Sequence, residues 1–403
     1  MIRSVSPLAL VAGVAFLFSG YGTGDATPTC SAQPKGPSLE LVYRLEAGEE
    51  EVTPQTREVA MEIVCKRLQA VGGKGGEVRA VGEDRIRVVL PHSSNAQQVA
   101  DHIAIPGQLY FYDWEPNLIG PERRIGGHPG QAPPASALKK AKREWRAAGR
   151  DINRPVNVRL ILAGAFANGY GAVKLASEQK PRKRCSTCSA STPRYYMFDR
   201  SAVHELIAGP VTDRADLRSI AGRHRRSGSV VLEVPVGTAI VSEQPTNSFG
   251  EPVAAAEPGW FALKDRPALS GEDIVDPRQE RDELGLPNVT FEFTKEGQAA
   301  FKRVTRTIAW RGRVRADGRV GGRRAEELSG SFAGVFDNEM KVRPIVNFAE
   351  NPNGIDGRVG AQIAGGFASA GEARDLATIL RIGALPIKMV LIRREEASPR
   401  GQY

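Results

Sequence analysis

Residues 357–386 read GRVGAQIAGGFASAGEARDLATILRIGALP. A short apolar run, Ala361–Ala364, meets the glycine pair Gly365-Gly366, and a helical pattern then opens on Ser369 with Glu372 three residues on. A serine hydroxyl accepts from the backbone N–H of the third helical residue, while a glutamate there reaches back to the start of the helix. That spacing fixes where the helix begins. Ala373, Leu376, Ala377 and Leu380 form one apolar face, and Gly383 with Pro386 ends it. The stretch is a strand, a tight turn and a capped helix.

Working outward, Ile387–Arg393 reads as a last strand. Upstream, Phe332–Phe336 and Met340–Val346 flank Asp337-Asn338-Glu339, a hairpin in which Asn338 can take the left-handed turn conformation. Val289–Phe293 is a strand, and Thr294 caps a helix through Ala309 with Ala300, Phe301, Val304 and Ile308 inward. These elements make one α+β unit.

A second unit precedes it. Leu39, Leu41, Tyr43 and Leu45 alternate with Glu40, Val42 and Arg44, the period of a half-buried strand. A helix follows Pro54, with Met61, Val64, Cys65 and Leu68 on one face, and the glycine-rich run Gly72–Gly76 stops it. Glu77–Val81 and Asp84–Leu90 read as a hairpin, Asn95–Ala104 as a helix and Gln108–Tyr112 as a fourth strand. The order βαββαβ is the ferredoxin-like motif.

Between the units, Pro116–Pro267 is rich in Pro and Gly at its start and only patchily periodic. It suggests a charged helix at 135–149, a strand at 156–163 and a hairpin of Ser229–Pro235 with Thr238–Ser242. Net charge is +9 over 403 residues. Between 121 and 230, Lys and Arg outnumber Asp and Glu by more than two to one, so the basic character belongs to this segment. Arg223-His224-Arg225-Arg226 reads as a solvated basic loop, with anionic lipid or polymer as the alternative contact.

The first residues have the form of an export signal, with Arg3 before the apolar run Val5–Phe18. That run is shorter than the roughly 20 residues of a membrane span, which favours a cleaved signal over a stable anchor. Tyr21 stands where a lipoprotein box would need cysteine. The four cysteines do not suggest a disulfide framework. Cys65 reads as a small core residue, Cys30 lies in a linker, and Cys185 with Cys188 form a CxxC, as a disulfide or free thiols, with no second pair to complete a zinc site.

Enzymatic motifs are sparse. His204-Glu205-Leu206-Ile207 begins like a zinc-protease helix, but Ala208 stands where the second histidine is required, which leaves His204 as a helix-surface residue. Gly169-Tyr170-Gly171 lacks the third glycine of a dinucleotide loop, and Asn351, Asn353 and Asp356 lack the spacing of a calcium loop. No catalytic residue, metal or cofactor is expected.

Several segments carry a family resemblance: Ala268–Ile274 (ALSGEDI), Asn288–Gly297 (NVTFEFTKEG), Val335–Glu339 (VFDNE), Ala361–Phe367 (AQIAGGF), Asp375–Ala377 and Gly383–Pro386 (GALP). They resemble the head subdomain in the first extracytoplasmic domain of SecD, a subunit of the SecDF protein-export complex. Residues 38–113 resemble that domain's ferredoxin-like base.

Residue pattern and resemblance together give an α+β chain with a signal peptide or N-terminal membrane anchor at 1–24, a linker at 25–37, the ferredoxin-like βαββαβ base at 38–113, a long basic, partly ordered insertion at 114–265 that the resemblance does not cover, a head subdomain with an antiparallel sheet at 266–386, and a final strand and tail at 387–403. The resemblance implies an exported, non-enzymatic protein, soluble or held by one N-terminal segment. Because the chain stops about where the family enters its second span, the sensing part without the proton-driven motor is expected. The partners implied are unfolded or translocating polypeptide and Sec translocon subunits, with no nucleic acid. The candidate peptide-binding surface is Asp337 and Asn338 with Gly365, Gly366 and Phe367. The competing reading is that the glycines make only a turn and Phe367 is core. An alternative function is an envelope protein that binds anionic lipid or cell-wall polymer through residues 121–230.

Overall fold

The computed structural model describes residues 36–47, 51–71, 76–91, 96–120, 167–182, 187–201, 204–220, 228–246, 258–316 and 328–397, with a few isolated positions including Cys30 and Cys185. The export segment 1–24, most of the linker, the 135–149 helix, the 156–163 strand and the 223–226 cluster lie outside the described residues.

Among the described residues the first elements are β1 (Ser38–Ala47), α1 (Pro54–Ala70), β2 (Glu77–Val81), β3 (Arg85–Pro91) and α2 (Ala96–Ile103). It continues through β4 (Leu109–Asp113), α3 (Trp114–Asn117), β5 (Leu118–Ile119), α4 (Gly169–Ser177), β6 (Arg194–Asp199), β7 (Leu206–Val211) and α5 (Arg214–Ile220). Next come β8 (Ser229–Val234), β9 (Thr238–Glu243), β10 (Gly259–Lys264), β11 (Leu269–Ser270), β12 (Ile274–Arg281) and β13 (Pro287–Phe293). The last part holds α6 (Lys295–Arg315), β14 (Gly330–Phe336), β15 (Glu339–Val342), β16 (Ile345–Val346), β17 (Ala361–Ala364), α7 (Ala370–Ile382) and β18 (Ile387–Ala397). The class is α+β, as expected.

The base sheet has the order β18-β1-β3-β2. Alternation in β1 buries Leu39, Leu41, Tyr43 and Leu45 against Ala60, Val64 and Leu68 of α1 and Val99 and Ile103 of α2. Pro54 occupies the first turn of α1, and the Thr53 hydroxyl accepts from Thr56 N at 3.1 Å.

The expected fourth base strand does not join this sheet. β18 pairs along β1, whereas β4 belongs to an eight-stranded sheet ordered β11-β4-β14-β15-β9-β10-β5, with β16 beside β14. Both faces of β4 are apolar: Leu109 and Phe111 enter one core and Tyr110 and Tyr112 another. A strand covered on both faces suits the interior of the larger sheet rather than the edge of a sheet with one wet face.

The middle of the chain is also more integrated than the expected insertion. β5, β9 and β10 lie in the eight-stranded sheet, and β6, β7 and β8 form a separate sheet ordered β7-β6-β8. The strands expected to pair as a hairpin, β8 and β9, are adjacent in sequence but pair with β6 and β10 respectively. Pro235 follows β8, and Gly237, at φ +89, turns the chain into the other sheet. His204 sits at the mouth of β7 at φ 50, stacked 3.9 Å from Tyr170, so the segment that began like a zinc helix enters a strand.

Cysteine pairing departs from the expectation at one pair, Cys30 with Cys65, while the CxxC takes one of its two expected states. Cys30 and Cys65 form a disulfide that pins the chain ahead of β1 to α1, while Cys185 and Cys188 form a second, local one. Sequence spacing could not reveal the first pair, because only the folded path brings the linker beside α1. Next to the local disulfide, the fully buried Asp265 carboxylate accepts from Tyr112 Oη at 2.9 Å and from Ser189 N and Oγ at 2.7 and 2.8 Å. Burial pushes that carboxyl upward against these bonds. Among the described residues no helix is long and apolar enough to cross a membrane, and no His, Cys, Asp and Glu group could hold a metal ion.

Two covalent links join base to head: the segment between α2 and β4, and the segment between α7 and β18. They bond to one another, Leu385 N donating to Pro106 O at 2.8 Å. Across the same interface, buried His102 of α2 lies 3.9 Å from the Asp375 carboxylate of α7.

Burial pushes the His102 imidazole below its usual value, against the pull of Asp375; the Arg67 charge also lowers it. Unfolded His102 titrates near about 6.5. As pH falls through that value the unfolded chain takes up a proton that the folded chain refuses, so stability is full above it and declines below. Denaturant midpoints near pH 7.5 and pH 5.5 should therefore differ in the direction of acid lability. The difference should shrink in His102→Gln; an unchanged difference would assign the lability to other groups.

Candidate peptide-contact site

The hairpin β14–β15 turns on Asp337 and Asn338, both left-handed at φ 47 and 68, which is the geometry of a two-residue primed turn. The Asp337 carboxylate accepts from Gly107 N at 3.0 Å and Gln108 N at 2.8 Å, so it anchors the turn to the segment leaving the base. Burial raises its carboxyl, opposed by those two N–H groups and by Arg67. The Asn338 carbonyl accepts from Ser242 N at 2.9 Å, the point where β15 meets β9 in parallel. Both residues line a cavity of about 220 Å³ between base, head and the β6–β7 region, together with Arg194, Pro210, Leu385 and Ile387.

The glycine pair stands elsewhere. β17 hydrogen-bonds only to β13, so its other edge is free of a strand partner among the described residues. Beyond that edge, Gly365 (φ 81) and Gly366 (φ 75) turn the chain past β15, and a side chain at Gly366 would start 3.7 Å from the Lys341 carbonyl. After their single paired position β9 and β15 diverge, which opens a groove of about 450 Å³. Its lining includes Gln244, Thr246, Met340, Gln362, Gly365 and Gly366.

Ion pairs hold the groove's walls. Arg343 reaches Glu243 at 3.2 Å and lies over the Trp114 ring at 5.4 Å. Lys341 Nζ lies 3.0 Å from Glu339 and 3.7 Å from Glu372. Glu372 thereby connects the hairpin to the start of α7, where Ser369 Oγ accepts from Glu372 N at 3.2 Å and Glu372 accepts from Ala368 N at 2.9 Å. The back-bond of the cap thus lands one residue earlier than the ideal box. Phe367, 5% exposed, is packed in the head core with Leu376 and Ile363.

The structure therefore brings Gly365 and Gly366 to one groove, Asp337 and Asn338 to a separate cavity, and Phe367 to the core. The groove's far wall, Glu243 to Thr246, carries no local signature, since it is recruited from a strand some hundred residues away. The buried Arg67, 0% exposed, belongs to no motif in the sequence. Helical spacing carried a signal for it, because the period that buries Ala60 and Val64 also turns position 67 inward.

Residues 249–387 match the family described as SecDF, P1 head subdomain. The chain is 29% identical over 123 residues to protein translocase subunit SecDF of Thermus thermophilus, covering 30% of this chain and 13% of that protein. It is 29% identical over 140 residues to protein translocase subunit SecD of Aquifex aeolicus, covering 35% and 23%. Matched stretches thus span less than a quarter of either relative. A crystal structure of SecDF in a super-membrane-facing form overlays 93% of this chain and 32% of that one at 18% identity and a TM-score of 0.43. The chain is SecD-like, and residues 249–387 are where it matches the SecDF P1 head subdomain.

Proposed function

We propose that this chain is an extracytoplasmic component of protein export that holds translocating or unfolded polypeptide as an extended strand along the free edge of β17. The head-subdomain match supports the export setting. The observation that carries the contact is the unpaired β17 edge beside Gly365 and Gly366. An edge strand presents outward N–H and C=O groups at alternate residues. Strand addition uses those groups and gives affinity without sequence preference, as a protein that meets many unfolded chains requires. Glycine at 365 and 366 keeps side chains out of the approach.

A photo-crosslinker at exposed Gln362, in the middle of β17, should capture a reduced, carboxymethylated globular protein. The same probe at Leu284, 76% exposed in the β12–β13 connection, should not. Equal capture at both positions, or none at 362, would sink the reading. Gly366→Val adds a branched side chain at positive φ inside the groove, and should weaken polypeptide binding by about tenfold or more while circular dichroism retains the native spectrum.

A further inference from the structure

The inner face of α6 buries Phe301, Thr305, Ile308, Ala309 and Gly312. Its outer face exposes Lys302, Arg303, Arg306, Trp310, Arg313 and Val314. At about 100° per residue these six fall within an arc of about 120°, with Trp310 near its middle. Trp310 is 55% exposed and Val314, one turn on, 56%; among the described residues Trp310 is the only exposed large apolar residue that is aromatic.

The cations on this face are not spent on carboxylates. Arg311 and Arg315 turn inward to Asp113 and Glu115, whereas Arg303, Arg306 and Arg313 make no ion pair among the described residues. Among the described residues, Glu296 stands on the first turn, and Asp356 on the adjoining loop is engaged by Arg358 while lowered also by Lys302. The face is a ridge about 18 Å long. It lines neither cavity described above.

We propose that this face of α6 is a contact for an anionic membrane surface. Charge complementarity supplies the attraction: basic side chains near an anionic bilayer contribute additively and are screened by salt. A central tryptophan, flanked by arginines whose stems are apolar, matches the headgroup boundary, where amphipathic rings and snorkelling cations are favoured. A face that lines neither cavity offers an acidic peptide no cleft to enter, and a bilayer needs none. The surface shares no residue with the groove beside the β17 edge.

The full chain should float with vesicles of phosphatidylcholine and phosphatidylglycerol more than with phosphatidylcholine alone, and the excess should fall with salt. Any insertion of the apolar segment at 5–18 is common to both compositions. Combining Arg303→Glu, Arg306→Glu and Arg313→Glu should reduce the anionic excess by about 100-fold or more. The corresponding Arg→Lys triple variant should keep most of it, and Trp310→Ala should lower it several-fold. The proposal is overturned by an absent anionic excess, by an excess that survives the triple reversal, or by an acidic polypeptide that binds this face while vesicles do not.

Discussion

Arg67→Ala should destabilise the chain by about 3–5 kcal/mol, the cost of breaking a fully buried charged hydrogen-bond hub. The Arg67 guanidinium donates to Ile105 O, to Gly383 O at 2.8 Å, and more weakly to Pro106 O and Ile103 O at 3.4 and 3.5 Å. Ile103 O is at the end of α2, Ile105 O and Pro106 O belong to the segment that leaves the base, and Gly383 O belongs to the segment that returns. One side chain therefore satisfies backbone in both links, and its removal strands buried acceptors as well as emptying volume.

Burial drags the guanidinium down to about 10, with Asp337 pulling the other way. It remains charged at neutral pH. Arg67→Lys should recover only part of the loss, since a compact ammonium cannot span the fork that reaches both segments. The check is the urea midpoint together with protease cleavage at 103–107 and 383–386. A loss below about 1 kcal/mol, or cleavage unchanged, would remove Arg67 from this role.

The second large effect concerns the two disulfides, which should behave differently on reduction. Cys30 and Cys65 are 35 residues apart, and closing a loop of that length restrains the unfolded chain by about 3–4 kcal/mol. Cys185 and Cys188 are separated by 3 residues, so their bond restrains little, under about 2 kcal/mol. The Cys30→Ser, Cys65→Ser pair should therefore reproduce most of the stability lost in reductant, and the Cys185→Ser, Cys188→Ser pair little of it. Equal losses in denaturant titrations would show that the second loop matters through its packing on Asp265 rather than through chain restraint.

What sequence revealed and what it hid divide along a physical line. The cap at Ser369, the cap at Thr294, where Gly297 N donates to Oγ1 at 3.0 Å, and the turn at Asp337-Asn338 are set by residues within four positions of one another. Such codes are complete in the local text. α6 overran its expected end at Ala309 because Gly312 packs under Phe348, a contact no local pattern contains.

Strand partners obey a different rule. β4 and β18 both had the composition of a fourth base strand. The choice between them rests on which one is released by competing partners: β4 is taken up by β14, and β18 pairs the whole length of β1. The candidate site was legible to the same extent. The glycine turn was visible in the sequence, while the groove it borders depended on β9 and β15 parting from one another.

The placement of β18 has a consequence for how the chain reaches its native state. β1 is an inner strand only because residues 387–397 return to it after the entire head has been threaded between. During synthesis β1 is made before the whole head, and it waits with one edge open until β18 arrives. The entropy of closing so long a loop grows only with the logarithm of its length, so the delay is kinetic rather than thermodynamic. In that interval the nascent base exposes the kind of edge at which extended polypeptides add. A chain proposed to hold such polypeptides thus passes, while being made, through a stage at which it is itself a substrate for that interaction.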